Sequence, residues 1–139
     1  MANDSQSILA LDYGEKRIGL ALADTQARLP HPAGVIQTTE TACGDIAVFI
    51  KENSASAVVI GLPRGLDGQE TAQTALVRAF AQELATYTTI PQYFQDEALT
   101  SLKAHEELQN KGVRYTKEDV DALAATYILS DFLSEHTEV

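Results

Sequence analysis

The sequence predicts a single α/β domain with a mixed sheet, antiparallel on one side and parallel on the other. Two apolar runs, 7–13 and 17–24, are joined only by Gly14-Glu15-Lys16, a connection that suits an antiparallel hairpin. Beyond residue 40, helical and extended patterns alternate, and that alternation builds parallel neighbours. Hydrophobic residues make up 45% of the 139. That is enough for one core and is a globular rather than a disordered composition.

Taken in order, Gly34-Val35-Ile36-Gln37-Thr38 reads as a third strand after the break at Pro30-His31-Pro32. A helix follows near 41–53, with Ile46, Phe49 and Ile50 on its apolar face. Residues 57–62, AVVIGL, are a continuous apolar run, as in a strand covered on both faces. After the loop PRGLDG, Ala72, Ala75, Leu76, Ala79, Phe80, Glu83 and Leu84 recur at helical spacing, with Glu83 the polar intruder. Pro91 opens a short strand at 92–96. Thr100 or Ser101 caps a helix to about Asn110, ended by Gly112. Thr116-Lys117-Glu118-Asp119 has the spacing of a capping box. The helix it starts is expected to bury Val120, Leu123, Ala124, Tyr127, Ile128 and Phe132. The order is β-β-β-α-β-α-β-α-α, without repeats or a linker, and residues 1–6 and 134–139 are expected as flexible ends of one domain.

Several functional classes fall away. No apolar run approaches the roughly 20 residues that span a bilayer. MANDSQS lacks the basic n-region and the h-region of a secretory signal, so a cytoplasmic location and no membrane partner are expected. Cys43 is the sole cysteine, which excludes an internal disulfide and a cysteine-rich zinc site; it is expected as a buried helix residue. A formal net charge of −10 argues against a simple electrostatic binder of nucleic acid, which usually carries a basic stripe. Phosphate binding, however, depends on the local field rather than on the total.

Most acidic residues must be solvated, so the informative ones stand where water is not expected. Asp12 ends the apolar run Ile8-Leu9-Ala10-Leu11, where it is either a turn former beside Gly14 or a functional carboxylate. Glu97 follows the strand QYFQD. Carboxylates at the carboxyl ends of strands line the usual crevice of open α/β sheets, although a charge before a helix N-terminus is also favoured by the macrodipole. Asp119 has a sufficient task in the capping box; Asp121 does not, and it sits in the apolar stretch VDALAA. A carboxylate pressed against a sheet is costly unless paired or bound to a metal. Three converging carboxylates suit Mg²⁺ or Mn²⁺, because hard cations take oxygen ligands. Two such ions about 4 Å apart can stabilise both the attacking and the leaving oxygen.

The loop Gly61-Leu62-Pro63-Arg64-Gly65-Leu66-Asp67-Gly68 is a second candidate element. Gly61, Gly65 and Gly68 allow close backbone approach to a substrate, and Arg64 can meet a phosphate. No Gly-Lys-Ser/Thr follows, so it is not a P-loop. Lys16 and Arg17 in the first hairpin, and Lys111, Arg114 and Lys117 before the last helix, are further candidate phosphate contacts. His31, His105 and His136 have no metal-like spacing.

Four segments, LDYGEKRIGLALAD, VVIGLPRGLDGQET, QDEALTS and KEDVDALAATYIL, resemble in order the motifs of the YqgF family, also called RuvX. The resemblance runs from about residue 8 to 133. It implies a ribonuclease-H-like fold with strand order 3-2-1-4-5. It also implies a role in maturing the 5′ end of pre-16S ribosomal RNA, with Holliday-junction resolution as an alternative. The family's acids fall on Asp12, Glu97 and Asp121, as catalytic and metal-holding residues. The chain departs from the family in carrying Ala98 where an Arg usually follows the second acid.

The leading expectation is therefore a hydrolase: a Mg²⁺- or Mn²⁺-dependent endonuclease acting on precursor ribosomal RNA. The same chemistry on branched DNA would call for a homodimer rather than a monomer, since a junction is cut at two sites. A non-catalytic RNA-, ribosome- or transcription-associated binding factor is the third reading.

Overall fold

The computed structural model describes residues 5–65, 67–97, 106–112 and 114–139. Its elements are β1 (Ser7–Tyr13), β2 (Arg17–Asp24), β3 (His31–Gln37), α1 (Ala42–Glu52), β4 (Ala55–Pro63), α2 (Ala72–Leu84), β5 (Gln92–Glu97) and α3 (Lys117–Glu135). Residues 106–110 are also helical. The five strands form one sheet in the order β3-β2-β1-β4-β5. β2 is antiparallel to β1 and to β3, while β4 is parallel to β1 and to β5. Among the described residues, no helix is long and apolar enough to cross a membrane.

The two faces of the sheet differ in side-chain size. Because side chains alternate along a strand, Leu9, Leu11, Ile18, Leu20, Val58, Ile60 and Leu62 point to one face and meet α1 and α2. Ile8, Ala10, Ala21, Ala23, Ala57 and Val59 point to the other and meet Ala125, Ile128, Leu129 and Phe132 of α3. Alanines on both sides of that second interface let α3 lie close over β1 and β2.

Three details depart from the sequence expectation. β3 begins at His31 and so includes Pro32, which an edge strand tolerates; the pairing register shifts there, between Leu20 and Ala21. The buried stripe of α2 is Thr74, Val77, Phe80, Ala81 and Leu84. Ala72, Ala75, Leu76, Ala79 and Glu83 are exposed instead. Thr74 is fully buried because its hydroxyl donates to the carbonyl of Pro63. α3 likewise buries Ala122, Ala124, Ala125, Ile128, Leu129, Phe132 and Leu133, whereas Val120, Leu123 and Tyr127 are half-buried.

Both ends of α3 are anchored. At its start, Thr116 Oγ1 accepts from the Asp119 N–H at 3.2 Å and Asp119 Oδ2 accepts from the Thr116 N–H at 2.9 Å. At its end, Arg28 reaches over from the turn after β2. Its guanidinium donates to the carbonyls of Leu133 (2.9 Å), His136 (2.6 Å) and Val139 (2.5 Å). These carbonyls lack intrahelical donors, and a cation at a helix C-terminus also favours the dipole.

Candidate active site

β1, β4 and β5 run in the same direction, so their carboxyl ends lie together. Asp12 is the penultimate residue of β1 and is paired with Gly19 of β2. By alternation with Ile8 and Ala10 it belongs to the α3 face of the sheet. Glu97 is the last residue of β5, opposite Pro63. It shares that face with Tyr93, which packs in the α3-side core, and with Gln95, which donates to Glu135 of α3 at 3.2 Å.

A whole strand, β4, separates the backbones of Asp12 and Glu97, which at ordinary strand spacing is roughly 10 Å. The Glu97 side chain crosses that strand over Gly61. A Cβ on Gly61 would stand 2.3 Å from Glu97 Oε2 and 2.5 Å from Ile128 Cδ1. The close approach that Gly61 permits is therefore that of an acid, where the sequence suggested a substrate. On the opposite side of Asp12, the N-terminal part of α3 descends onto Gly19, and a Cβ there would stand 2.1 Å from the carbonyl oxygen of Asp121. Two glycines, on the strands that flank β1, thus bring the second and third acids towards the first.

The electrostatics report the same convergence. The Asp12 carboxyl is held well above the usual carboxylate range, first by its burial and then by the negative charges of Glu97 and Asp121. Asp121 is partly neutralised: Arg17 Nε donates to its Oδ2 at 2.7 Å, with side-chain exposures of 22% and 23%. Among the described residues, no three acidic, histidine or cysteine side chains stand in metal-holding geometry; Asp121 is engaged by Arg17. The donor set itself fits a hard divalent ion, with three carboxylates, no soft ligand, and a repulsion that a cation relieves.

The remaining predicted contacts are scattered. Lys16 is exposed in the β1–β2 turn. Arg64 donates to Asp96 Oδ1 at 2.9 Å and to the Gly68 carbonyl at 3.2 Å, bracing the loop after β4. Gly65 packs under the Gln69 side chain, where a Cβ would stand 2.4 Å from its amide. Lys111 pairs with Glu107 at 3.3 Å, and Glu107 accepts from the Tyr127 hydroxyl. Burial, then Glu107, push that phenol up to about 12. Arg114 and Lys117 are exposed at the approach to α3. Cys43 is buried in α1 as expected, its thiol pushed up to about 11 by burial and by Glu83. His136 stacks on Phe132 with ring centroids 4.2 Å apart. Ala98 and His105 lie outside the described residues, as does the expected cap at Thr100 or Ser101.

Two site-forming features escape the sequence reading: the seat at Gly19 and the Arg17–Asp121 pair. A glycine inside an otherwise apolar strand signals close backbone approach, and that signal was available at Gly19.

The family model described as "RuvX: Holliday junction resolvase" matches residues 6–135. A protein of Chloroflexus aggregans named "Putative pre-16S rRNA nuclease" is 39% identical over 134 residues, covering 94% of each chain. One of the same name from Anaeromyxobacter is 40% identical over 129 residues, covering 90% of this chain and 94% of that one. Among solved structures, Thermus thermophilus RuvC in complex with Holliday junction substrate superposes with a TM-score of 0.57 at 15% identity, covering 96% of this chain and 98% of that one. The Fowlpox virus resolvase in complex with junction DNA gives the same score at 12% identity, covering 96% and 100%. At such identities the likeness is one of fold, which is ribonuclease-H-like.

Proposed function

Because the chain belongs to the RuvX family, we propose that it is a metal-dependent endonuclease that hydrolyses phosphodiester bonds of precursor 16S ribosomal RNA, in the maturation of its 5′ end in the cytoplasm. The observation that carries this reading is the gathering of Asp12, Glu97 and Asp121 at one end of the sheet, felt as the raised Asp12 carboxyl. The names of relatives such as the Chloroflexus protein support the RNA substrate.

In this reading Asp12, Glu97 and Asp121 hold Mg²⁺ or Mn²⁺. The bound ion supplies charge stabilisation for the attacking water and the leaving oxygen of an in-line displacement. The protein's own groups do the rest. β1 fixes Asp12 in a rigid floor, Gly61 lets Glu97 reach across β4, and α3 delivers Asp121 from above. Lys16, Arg17, Arg64 and the backbone at Gly65 orient the phosphate chain, with Arg114 and Lys117 beyond them. Lys16, Arg114 and Lys117 are exposed, while Arg17 and Arg64 are paired with Asp121 and Asp96; phosphate binding depends on such local charges rather than on the total of −10. RNA affinity should then fall steeply with salt.

Cleavage of precursor 16S RNA by the full chain, with Mg²⁺ or Mn²⁺ and with chelator, tests the reading. Metal-dependent cutting that Asp12→Asn abolishes is the expected result. Full cutting by that variant, or by the chelated protein, would reject it. The family's description favours a second reading, junction DNA as substrate. A parallel assay on a four-way junction, with light scattering for a dimer, separates the two.

A further inference from the structure

Three carboxylates share one end of the sheet, and among the described residues a cation, Arg17, is in contact with one of them, Asp121. Arg17 stands two residues before Gly19 on β2, on the face where α3 lands, and its Nε donates to Asp121 Oδ2 at 2.7 Å. Both side chains are mostly covered, with 22% and 23% of their surface exposed. The pair is thus set into the wall of the site rather than hung on the surface. A guanidinium and a divalent ion compete for such a carboxylate, because each repels the other at contact range.

We propose that Arg17 is a positioning residue that holds Asp121 while no divalent ion is bound, and yields it when the ion arrives. The inference rests on the nuclease reading for where the ion binds and adds the regulation of that site. Arg17 relieves the repulsion among the acids when the ion is absent, so that α3 stays seated on Gly19 at Asp121. An ion that takes the same Oδ2 displaces the guanidinium, so its affinity is reduced by the strength of the ion pair.

The test is a titration of the full chain with Mn²⁺ alone, following the free ion by electron paramagnetic resonance, for the wild type, Arg17→Gln, Arg17→Lys and Asp12→Asn. Arg17→Gln should bind Mn²⁺ more tightly than the wild type, on the order of tenfold, from the loss of one positive charge beside a divalent ion. Arg17→Lys keeps the charge but loses the planar fork and should fall between them. A bridge with a purely structural role would instead give unchanged or weaker binding when removed. If Arg17→Gln is folded by circular dichroism and binds no more tightly, the proposal is overturned. If that variant fails to fold, Arg17→Lys decides: affinity equal to or below wild type overturns the proposal. Asp12→Asn separates the underlying reading, for Mn²⁺ binding indifferent to that change places the ion elsewhere whatever Arg17 does.

Discussion

The carbonyl oxygen of Asp121 rests over the α-carbon of Gly19, so close that a methyl group on the glycine would stand 2.1 Å away. Both atoms are backbone, so neither can rotate aside. Gly19→Ala must lift the start of α3 from the sheet, at a cost of about 1–3 kcal/mol in line with other overpacked sites, and cleavage should fall with it. At Gly61 the obstacles are the far ends of Glu97 and Ile128, which can move. Gly61→Ala should therefore lose less stability than Gly19→Ala while still losing most activity. Thermal melts and cleavage rates of the two variants check this contrast; a larger melting loss for Gly61→Ala would contradict it.

Asp12 carries a stability prediction whose sign follows from its environment. Its carboxyl is raised in the fold by burial, Glu97 and Asp121. The protonated form therefore favours the fold, and that contribution fades as pH rises through the folded value. Without metal, Asp12→Asn should melt above the wild type near pH 8, by about 3–6 °C for each kcal/mol of relief. The gap should narrow as pH falls to about 4, where the unfolded carboxyl also protonates. Added Mg²⁺ should raise the wild type more than the variant. A variant less stable than the wild type at every pH would refute the prediction.

The capping box gives a third. Thr116 accepts the Asp119 N–H and Asp119 returns the bond. Thr116→Ala should cost about 1 kcal/mol. It should also reduce cleavage by more than that loss of global stability explains, because Asp121 directly follows the turn that frays. Amide hydrogen exchange confined to the first turn of α3 would report it directly.

Arg28 gives a fourth. It satisfies three carbonyls at the far end of α3 from a backbone φ of 56°. Charge-assisted bonds of this kind contribute about 1.5–3 kcal/mol each in favourable cases, but less when partly exposed. Arg28→Ala should lower stability by about 2 kcal/mol in urea melts, with Mn²⁺ affinity little changed because the acids are at the other end of the helix.

What could be read from the chain, and what could not, divides along physical lines. β1, β2 and β4 are readable because runs such as Ile8–Leu11 and Val58–Leu62 have one natural fate, and a three-residue connection forces the hairpin. The alanine-rich helices are harder. In α2 and α3 small residues fall on more than one side, so spacing alone admits several stripes; the choice at Thr74 was made by a hydrogen bond to Pro63 that no periodicity contains. Of the three proposed acids, Asp12 and Asp121 stand out because apolar neighbours make a carboxylate costly there, whereas Glu97, beside Asp96 at a strand end, is singled out by the family resemblance. How they meet is not readable, because it depends on two glycines whose importance comes from what lies above them, and on a 104-residue separation between Arg17 and Asp121 that only the folded chain closes.

The bare glycines beside Asp12 leave the sheet contributing little more than a flat bed at this spot, so the shape of the cleft is moulded from overhead by a helix tip and one long side chain. Such a cavity can collapse or swell while the strands beneath stay paired. On warming, catalytic competence should then vanish some degrees before the domain itself comes apart.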